Sequence, residues 1–315
     1  MKETIYNLPN EEYHRGEEFK DYISSTQLKD YEISPKFAKF KRENPLMFQI
    51  GKDAREKGSL YHNCLESIVN TGSMEKFKDS IVIFENPINK STGQPYGVTS
   101  KAYSDAYEFF QSENKGKELV SKSDLDLIKL MIDELLSGCG QTSKDVRDLI
   151  KWGKAEVSHF VEFEGSKFKY RPDLETKKKI VDWKTVAVDD LHEATINKII
   201  SKFNYDISAA FYQFFEFQRT GIWKSFYWVF QQKSPPYDAI LASADNWAFS
   251  MNDEILKLGS GALKFKYLLR QHVYCNKTNN WDGAQIFLKP GFLKRRIMYP
   301  NPPGYEINNL FTFYN

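Results

Sequence analysis

Arg171-Pro172-Asp173, followed after a short polar stretch by Lys179-Ile180-Val181-Asp182-Trp183-Lys184-Thr185, is the part of the chain whose reading decides the fold. Side chains alternate along a strand, so Asp182 and Lys184 project together while Trp183 points to the opposite side. The apolar pair Ile180-Val181 ahead of them predicts a largely buried strand, and a buried aspartate and lysine need a functional or metal-linked reason. If the chain turns around Thr176 to Lys178, Asp173 on the preceding strand comes close to Asp182. Two carboxylates so placed repel one another unless a cation sits between them. That arrangement suits a hard divalent ion such as Mg2+ or Mn2+, which prefers oxygen ligands and keeps waters for hydrolysis. Lys184 would orient or deprotonate the attacking water, or stabilise charge in the transition state. A D-x-K triplet alone is usually a solvated strand face or a surface ion pair, and it is the context that lifts this one above that background.

Working outward, Ala155, Val157, His159, Val161 and Phe163 alternate with Glu156, Ser158, Phe160 and Glu162 in the two-residue period of a strand. With Glu164-Gly165 as a turn, this segment, Lys167 to Leu174 and Lys179 to Thr185 read as a three-stranded antiparallel meander. Upstream, Ser24-Ser25-Thr26-Gln27 carries the signature of a capped helix start, and Gly51 to Val69 has apolar residues at helical spacing. A strand and a loop follow from Ile81 to Gly97, and helices fill much of Ser100 to Ile150. Downstream come helices at Asp190 to Phe203 and Asp206 to Arg219, a strand at Trp223 to Gln231 and a long helix at Asn252 to Gln271. The sum is an α/β fold with a mixed sheet flanked by helices on both faces. It reads as one domain over 1–315, with a helical N-terminal elaboration of about fifty residues and the core signature at 154–213.

Composition narrows the class without naming it. Forty-four basic residues against 42 acidic ones leave a net charge of +2, so any nucleic-acid contact must rest on local patches such as Lys177-Lys178-Lys179 or Lys294-Arg295-Arg296. Cys64, Cys139 and Cys275 are scattered and form no CxxC pair that would suit zinc or an iron–sulfur cluster. Without a secretory h-region or an eighteen-residue apolar run, the expected location is the cytoplasm, with no membrane partner. The aromatic wealth around Phe211, Phe214, Phe215, Phe217, Trp223, Phe226, Tyr227 and Trp228 is accounted for by helix and strand periodicity, as core rather than as a base-stacking surface.

These motifs together resemble the RecE-type (exodeoxyribonuclease VIII) branch of the PD-(D/E)xK superfamily, related to RecB nuclease domains and lambda exonuclease. The resemblance covers most of the chain. Tyr13-His14, Ile23-Ser24-Ser25-Thr26-Gln27-Leu28-Lys29 and Ser34-Pro35 are similar to its N-terminal pattern. Gly58-Ser59-Leu60-Tyr61-His62-Asn63-Cys64-Leu65-Glu66 matches a GxxxHxxxLE motif, and Arg171-Pro172-Asp173 with Asp182-Trp183-Lys184-Thr185 matches the signature itself. The spacing agrees, because Gly58, His62 and Glu66 fall on one helical face.

The resemblance implies a restriction-endonuclease-like core in which His62, Asp173, Asp182 and the Trp183 carbonyl hold one or two Mg2+ or Mn2+ ions. It makes Asp173, Asp182, Lys184 and Glu156 catalytic. An imidazole ligand would bias such a site toward manganese tolerance. The implied activity is processive 5′ to 3′ exonuclease action on one strand of linear duplex DNA, by a homo-oligomer that feeds a RecT-like single-strand annealing protein. A RecB-like or CRISPR-adaptation-type endonuclease or single-strand nuclease on the same scaffold, or a catalytically impaired DNA-binding protein, are the alternatives. One departure concerns the substrate-binding helix: the family pairs a glutamine with a tyrosine four residues on, whereas this chain has Ser208 and Tyr212. Gln213 lies about a hundred degrees around a helix from Tyr212 and is no simple replacement. The other histidines, His14, His159, His192 and His272, read as structural or exposed and without comparable partners.

Overall fold

In a computed structural model of the chain, which describes residues 2–48, 52–252 and 255–281, twelve strands and eleven α-helices are defined among those residues. The amino-terminal part contributes β1 (Lys2–Ile5), α1 (Asn10–Arg15), α2 (Ser25–Lys29) and α3 (Pro35–Glu43). Next come α4 (Lys52–Thr71), α5 (Glu75–Ser80), β2 (Ile81–Phe84), α6 (Lys101–Glu113), β3 (Glu118–Ser121), α7 (Lys122–Ser137) and α8 (Gln141–Trp152). The signature region holds β4 (Lys154–Ala155), β5 (Ser158–Phe163), β6 (Ser166–Tyr170), β7 (Leu174–Glu175) and β8 (Lys179–Val186). Beyond it lie α9 (Glu193–Phe203), α10 (Tyr205–Thr220), β9 (Ser225–Gln232), β10 (Ala239–Ser243), β11 (Phe249–Asn252), β12 (Ile255–Leu258) and α11 (Ser260–Thr278).

Five strands form a mixed sheet in the order β10-β9-β8-β7-β4, with β8 and β9 parallel and the other neighbours antiparallel. Alternation along β8 divides its side chains between two cores. Ile180 packs with Phe226, Trp228, Phe211, Phe215 and Phe265 in one cluster, which includes residues of α9, α10 and α11. Val181 and Trp183 face the other cluster, with Leu60, Tyr61, Cys64 and Leu65 of α4 and apolar residues of α7 and α8. Helices thus cover both faces of the sheet, as the order of elements along the chain predicts. Helix α2 begins as expected too: Ser24 caps it, and a reciprocal bond to Gln27 completes a capping box. Most of the aromatic run from Phe211 to Trp228 is core: Phe211, Phe215, Phe226 and Trp228 are buried, and Phe214 and Trp223 pack against them partly buried.

Three expectations are corrected. The meander is split: its two antiparallel hairpins, β5–β6 and β7–β8, both form, but the first lies in a separate three-stranded sheet β1-β5-β6 and the second in the five-stranded one. The chain changes sheets at Arg171-Pro172-Asp173, where Pro172 has no N–H to offer a ladder and therefore ends the strand. The strand expected across Ala155 to Phe163 is likewise interrupted, because Glu156 takes a left-handed backbone (φ 52°) between β4 and β5. The long helix expected from Asn252 instead starts at Ser260, after the β11–β12 hairpin. Gly259 marks the change: a Cβ there would lie 2.4 Å from the Trp247 carbonyl carbon, so only glycine permits that approach. The basic run Lys294-Arg295-Arg296 and Gly51, the first residue expected in the helix that is α4, lie outside the described residues. Among the described residues, no helix is long and apolar enough to cross a membrane, and the three cysteines are free thiols.

Candidate metal centre

Strand register assembles the site. Ala155 pairs with Leu174 and Leu174 with Val181. One residue further along each antiparallel ladder, Glu156, Asp173 and Asp182 form a row across three neighbouring segments. A main-chain bond from Glu156 N–H to the Pro172 carbonyl, at 3.2 Å, supports that alignment where β4 ends. From α4, His62 completes the group: ligand atoms of His62, Glu156 and Asp173 all lie within 4.8 Å of one another. His62 Nδ1 is 3.4 Å from Asp173 Oδ1. A Cβ on Gly58, one turn earlier, would meet nothing within 4 Å, so no close approach among the described residues calls for a glycine there.

Asp173 is fixed through both oxygens, since its Oδ2 accepts the Trp183 N–H at 2.6 Å. Asp182 and Lys184 project to the same side, and Lys184 Nζ meets Asp182 Oδ2 at 2.5 Å and donates to the Trp183 carbonyl at 3.3 Å. Asp182 is therefore turned toward its lysine rather than included in the tight trio, while Glu156 occupies the third place. The Trp183 carbonyl faces the same region, through its bond to Lys184, while its indole is buried in the opposite core.

Crowded carboxylates behave as electrostatics requires. Burial, reinforced by Asp173, pushes Glu156 up to about 8. Burial also raises Asp182, to about 6, with Asp173 adding and Lys184 opposing. Asp173 goes the other way: against the cost of burial, His62, Lys184 and the Trp183 N–H hold it down to about 2. Lys184 is raised despite burial because Asp182 and Asp173 stabilise its ammonium. One anionic carboxylate beside two carboxylates that resist ionisation is a pocket short of positive charge. The donor set of two carboxylates and one imidazole, with a third carboxylate adjacent, fits a hard divalent cation.

Several neighbours had no assigned role in the sequence. Arg171 lies 4.0 Å from Glu156, donates to Ser158 Oγ and the Leu8 carbonyl, and stacks over Tyr13. Lys29 and Lys184 both approach the Tyr205 ring, at 5.8 and 5.1 Å. Burial and then the Lys184 ammonium push Lys29 down to about 8. Such partners come from tertiary contacts, and no local pattern announces them. Tyr212 reaches the Arg171 carbonyl at 3.4 Å, and its phenol lies close enough to Asp182 and Asp173 for both to help raise its pKa, after burial. Ser208 instead bonds Ser25 at 3.3 Å. Gln213 is buried and spent on the main chain of Lys224 and Phe249, so it does not stand in for the absent glutamine.

His159 is structural, one of the two readings the sequence left for it, but it has partners that no local pattern showed. It is fully buried between Thr4 and Glu175, at 3.1 Å from each. Glu175 bonds Lys224 at 3.0 Å, Lys224 bonds Glu216 at 2.8 Å, and Glu216 meets Tyr170 and Arg219. Although His159, Glu175 and Glu216 could geometrically hold a cation, the Lys224 ammonium already bridges the two carboxylates. This network joins the smaller sheet to the larger one beside Asp173.

The comparisons agree with this architecture. Residues 24–282 match the family described as a PDDEXK-like domain of unknown function (DUF3799), and the chain belongs to that family. PDDEXK nucleases generally use divalent metal ions. The fold is also similar to the crystal structure of a protein from Eubacterium rectale provisionally named an exonuclease. The TM-score is 0.52 at 18% sequence identity, over 98% of this chain and 99% of that one. No curated protein matches the chain.

Proposed function

We propose that the protein is a Mg2+- or Mn2+-dependent deoxyribonuclease that hydrolyses phosphodiester bonds with water, working as an exonuclease on linear duplex ends. The observation that carries this reading is the row Glu156–Asp173–Asp182, flanked by His62 on α4 and Lys184 on β8. His62, Glu156 and Asp173 would hold the cation, with Asp182 and the Trp183 carbonyl completing its surroundings. When bound, the cation supplies charge neutralisation at the phosphate and a more acidic water. Asp182 positions the Lys184 ammonium, which offers a fixed positive charge to the phosphate oxygens as negative charge develops there. The Trp183 N–H holds the Asp173 carboxylate in register, and Arg171 anchors the segment that carries Glu156.

The exonuclease mode is supported by the RecE-type motifs and by the name given to the Eubacterium rectale protein, whereas 5′ to 3′ polarity, a homo-oligomer and a RecT-like partner rest on the motifs alone. Incubation with linear and closed circular duplexes in Mn2+ tests it. Degradation of the linear form alone is expected, whereas cleavage of circles would replace the exonuclease with an endonuclease on the same site. Wild-type and Asp182→Ala protein with the same residual activity would remove the nuclease reading altogether.

A further inference from the structure

Beside the reaction centre, two exposed aromatic rings are each capped by a lysine. Trp152, the last residue of α8, is 72% exposed, and Lys151 Nζ sits 5.1 Å from its ring centroid. Tyr6, just after β1, is 56% exposed, and Lys154 Nζ lies 4.7 Å from its ring. The Tyr6–Lys154 pair is tied to the site, and Trp152 stands two residues before Lys154 in the chain. Lys154 precedes Glu156 by two residues, a span of roughly 7 Å at strand rise. Tyr6 precedes Leu8 by the same interval, and the Leu8 carbonyl holds Arg171, which approaches Glu156. Strand β4 is also an edge of its sheet, with no strand on its outer side and the Ala155 N–H bonded to Asn70 Oδ1 at 3.3 Å.

A tryptophan and a tyrosine this exposed lose favourable burial, and core packing gives no reason for them. Flat rings next to ammonium groups are the arrangement that sequence-tolerant single-strand sites use: bases stack on the rings while the cations meet the phosphates. Resting on the nuclease reading above, we infer that Tyr6 and Trp152, with Lys151 and Lys154, form a stacking platform for single-stranded DNA next to the metal centre. There it would hold the bases of the strand that enters or leaves the row of carboxylates.

The test is fluorescence anisotropy of a labelled twelve-residue oligothymidylate in EDTA, where a metal-dependent reaction is silent. Trp152→Ala and Tyr6→Ala should each weaken binding about five- to hundredfold, the range for one lost base stack. Trp152→Phe should restore most of the affinity, and Lys151→Met with Lys154→Met should flatten the log Kd versus log salt slope by about 1.4. Unchanged affinity in both alanine variants, with wild-type melting temperatures, overturns the platform. So does a loss of self-association or of protein-partner binding in Trp152→Ala while oligothymidylate affinity stays constant. Failure of the nuclease reading is separate: wild type would then hydrolyse no DNA with any divalent ion, whatever its affinity for the oligonucleotide.

Discussion

The Asp173 carboxylate accepts the main-chain N–H of Trp183 at 2.6 Å, which ties the residue that follows the sheet change to the strand bearing Asp182 and Lys184. Asp173→Asn keeps an acceptor for that N–H but removes the charge facing His62. It should fold with a near wild-type melting temperature and lose activity on the order of 10^3-fold or more. Asp173→Leu should in addition lose about 1–3 kcal/mol of stability, because the Trp183 N–H is left unsatisfied. Parallel denaturant melts and nuclease assays separate the two effects.

Lys184 is held charged by Asp182 at 2.5 Å, with its pKa raised. It should therefore act as a cation rather than as a base. Lys184→Met should lower the cleavage rate roughly 10^2- to 10^3-fold, in the range found for a lost transition-state donor. Lys184→Arg should retain part of the rate. A lysine acting as general base would leave the arginine variant as inactive as the methionine one.

Metal affinity should climb with pH between about 6 and 8. Asp182 is raised to about 6 and Glu156 to about 8, so both carry protons at the lower end that a bound cation must displace. Titration calorimetry with Mn2+ at pH 6, 7 and 8, in buffers of different ionisation enthalpy, should show proton release that shrinks as pH rises. Affinity independent of pH would mean that both carboxylates are already ionised.

Lys224 bridges two buried carboxylates, Glu175 and Glu216. Its replacement by methionine leaves both without their shared cation and should cost about 3–5 kcal/mol, as removal of one member of a buried ion pair does. Urea unfolding at pH 7 measures this loss. A change below about 1 kcal/mol would show that the bridge contributes nothing net.

His272 supplies a pH dependence outside the site. Burial, with Arg42 adding, lowers it from 6.5 to about 4, and Tyr31 bonds its Nδ1 at 2.7 Å. The unfolded chain binds the proton more readily, so the contribution is complete above pH 6.5 and is lost as pH falls through 4. The loss amounts to about 3 kcal/mol. His272→Gln should flatten the stability curve over that window in denaturant melts at pH 7, 5 and 4.

Much of this was legible because period-two alternation places residues on faces regardless of what the strand pairs with. The projection of Asp182 and Lys184 away from Trp183, and the burial of Ile180 and Val181, therefore followed directly. Which sheet a strand joins is a tertiary matter: the hairpin around Thr176 to Lys178 forms as its polar residues imply, but the single strand expected from Lys167 to Leu174 is broken at Pro172 into β6 and β7, which lie in different sheets. The capping box at Ser24 was readable because all of its bonds are local. The His159–Glu175–Lys224–Glu216 network was not, since its members come from two strands, a helix and the loop residue before β9, with no common spacing. Glu156 shows a third case: alternation placed it inside a strand, whereas its left-handed backbone aims it into the trio.

The switch between sheets at Arg171-Pro172-Asp173 gives the amino-terminal residues a mechanical role. Thr4 props His159, Leu8 moors Arg171, and both tethers converge on the three-residue crossing that delivers Asp173. Trimming those first residues, or fusing a bulky tag against them, would loosen the pivot on which the carboxylate hangs and blunt the chemistry, though more than 160 positions separate them from the aspartate pair in the chain.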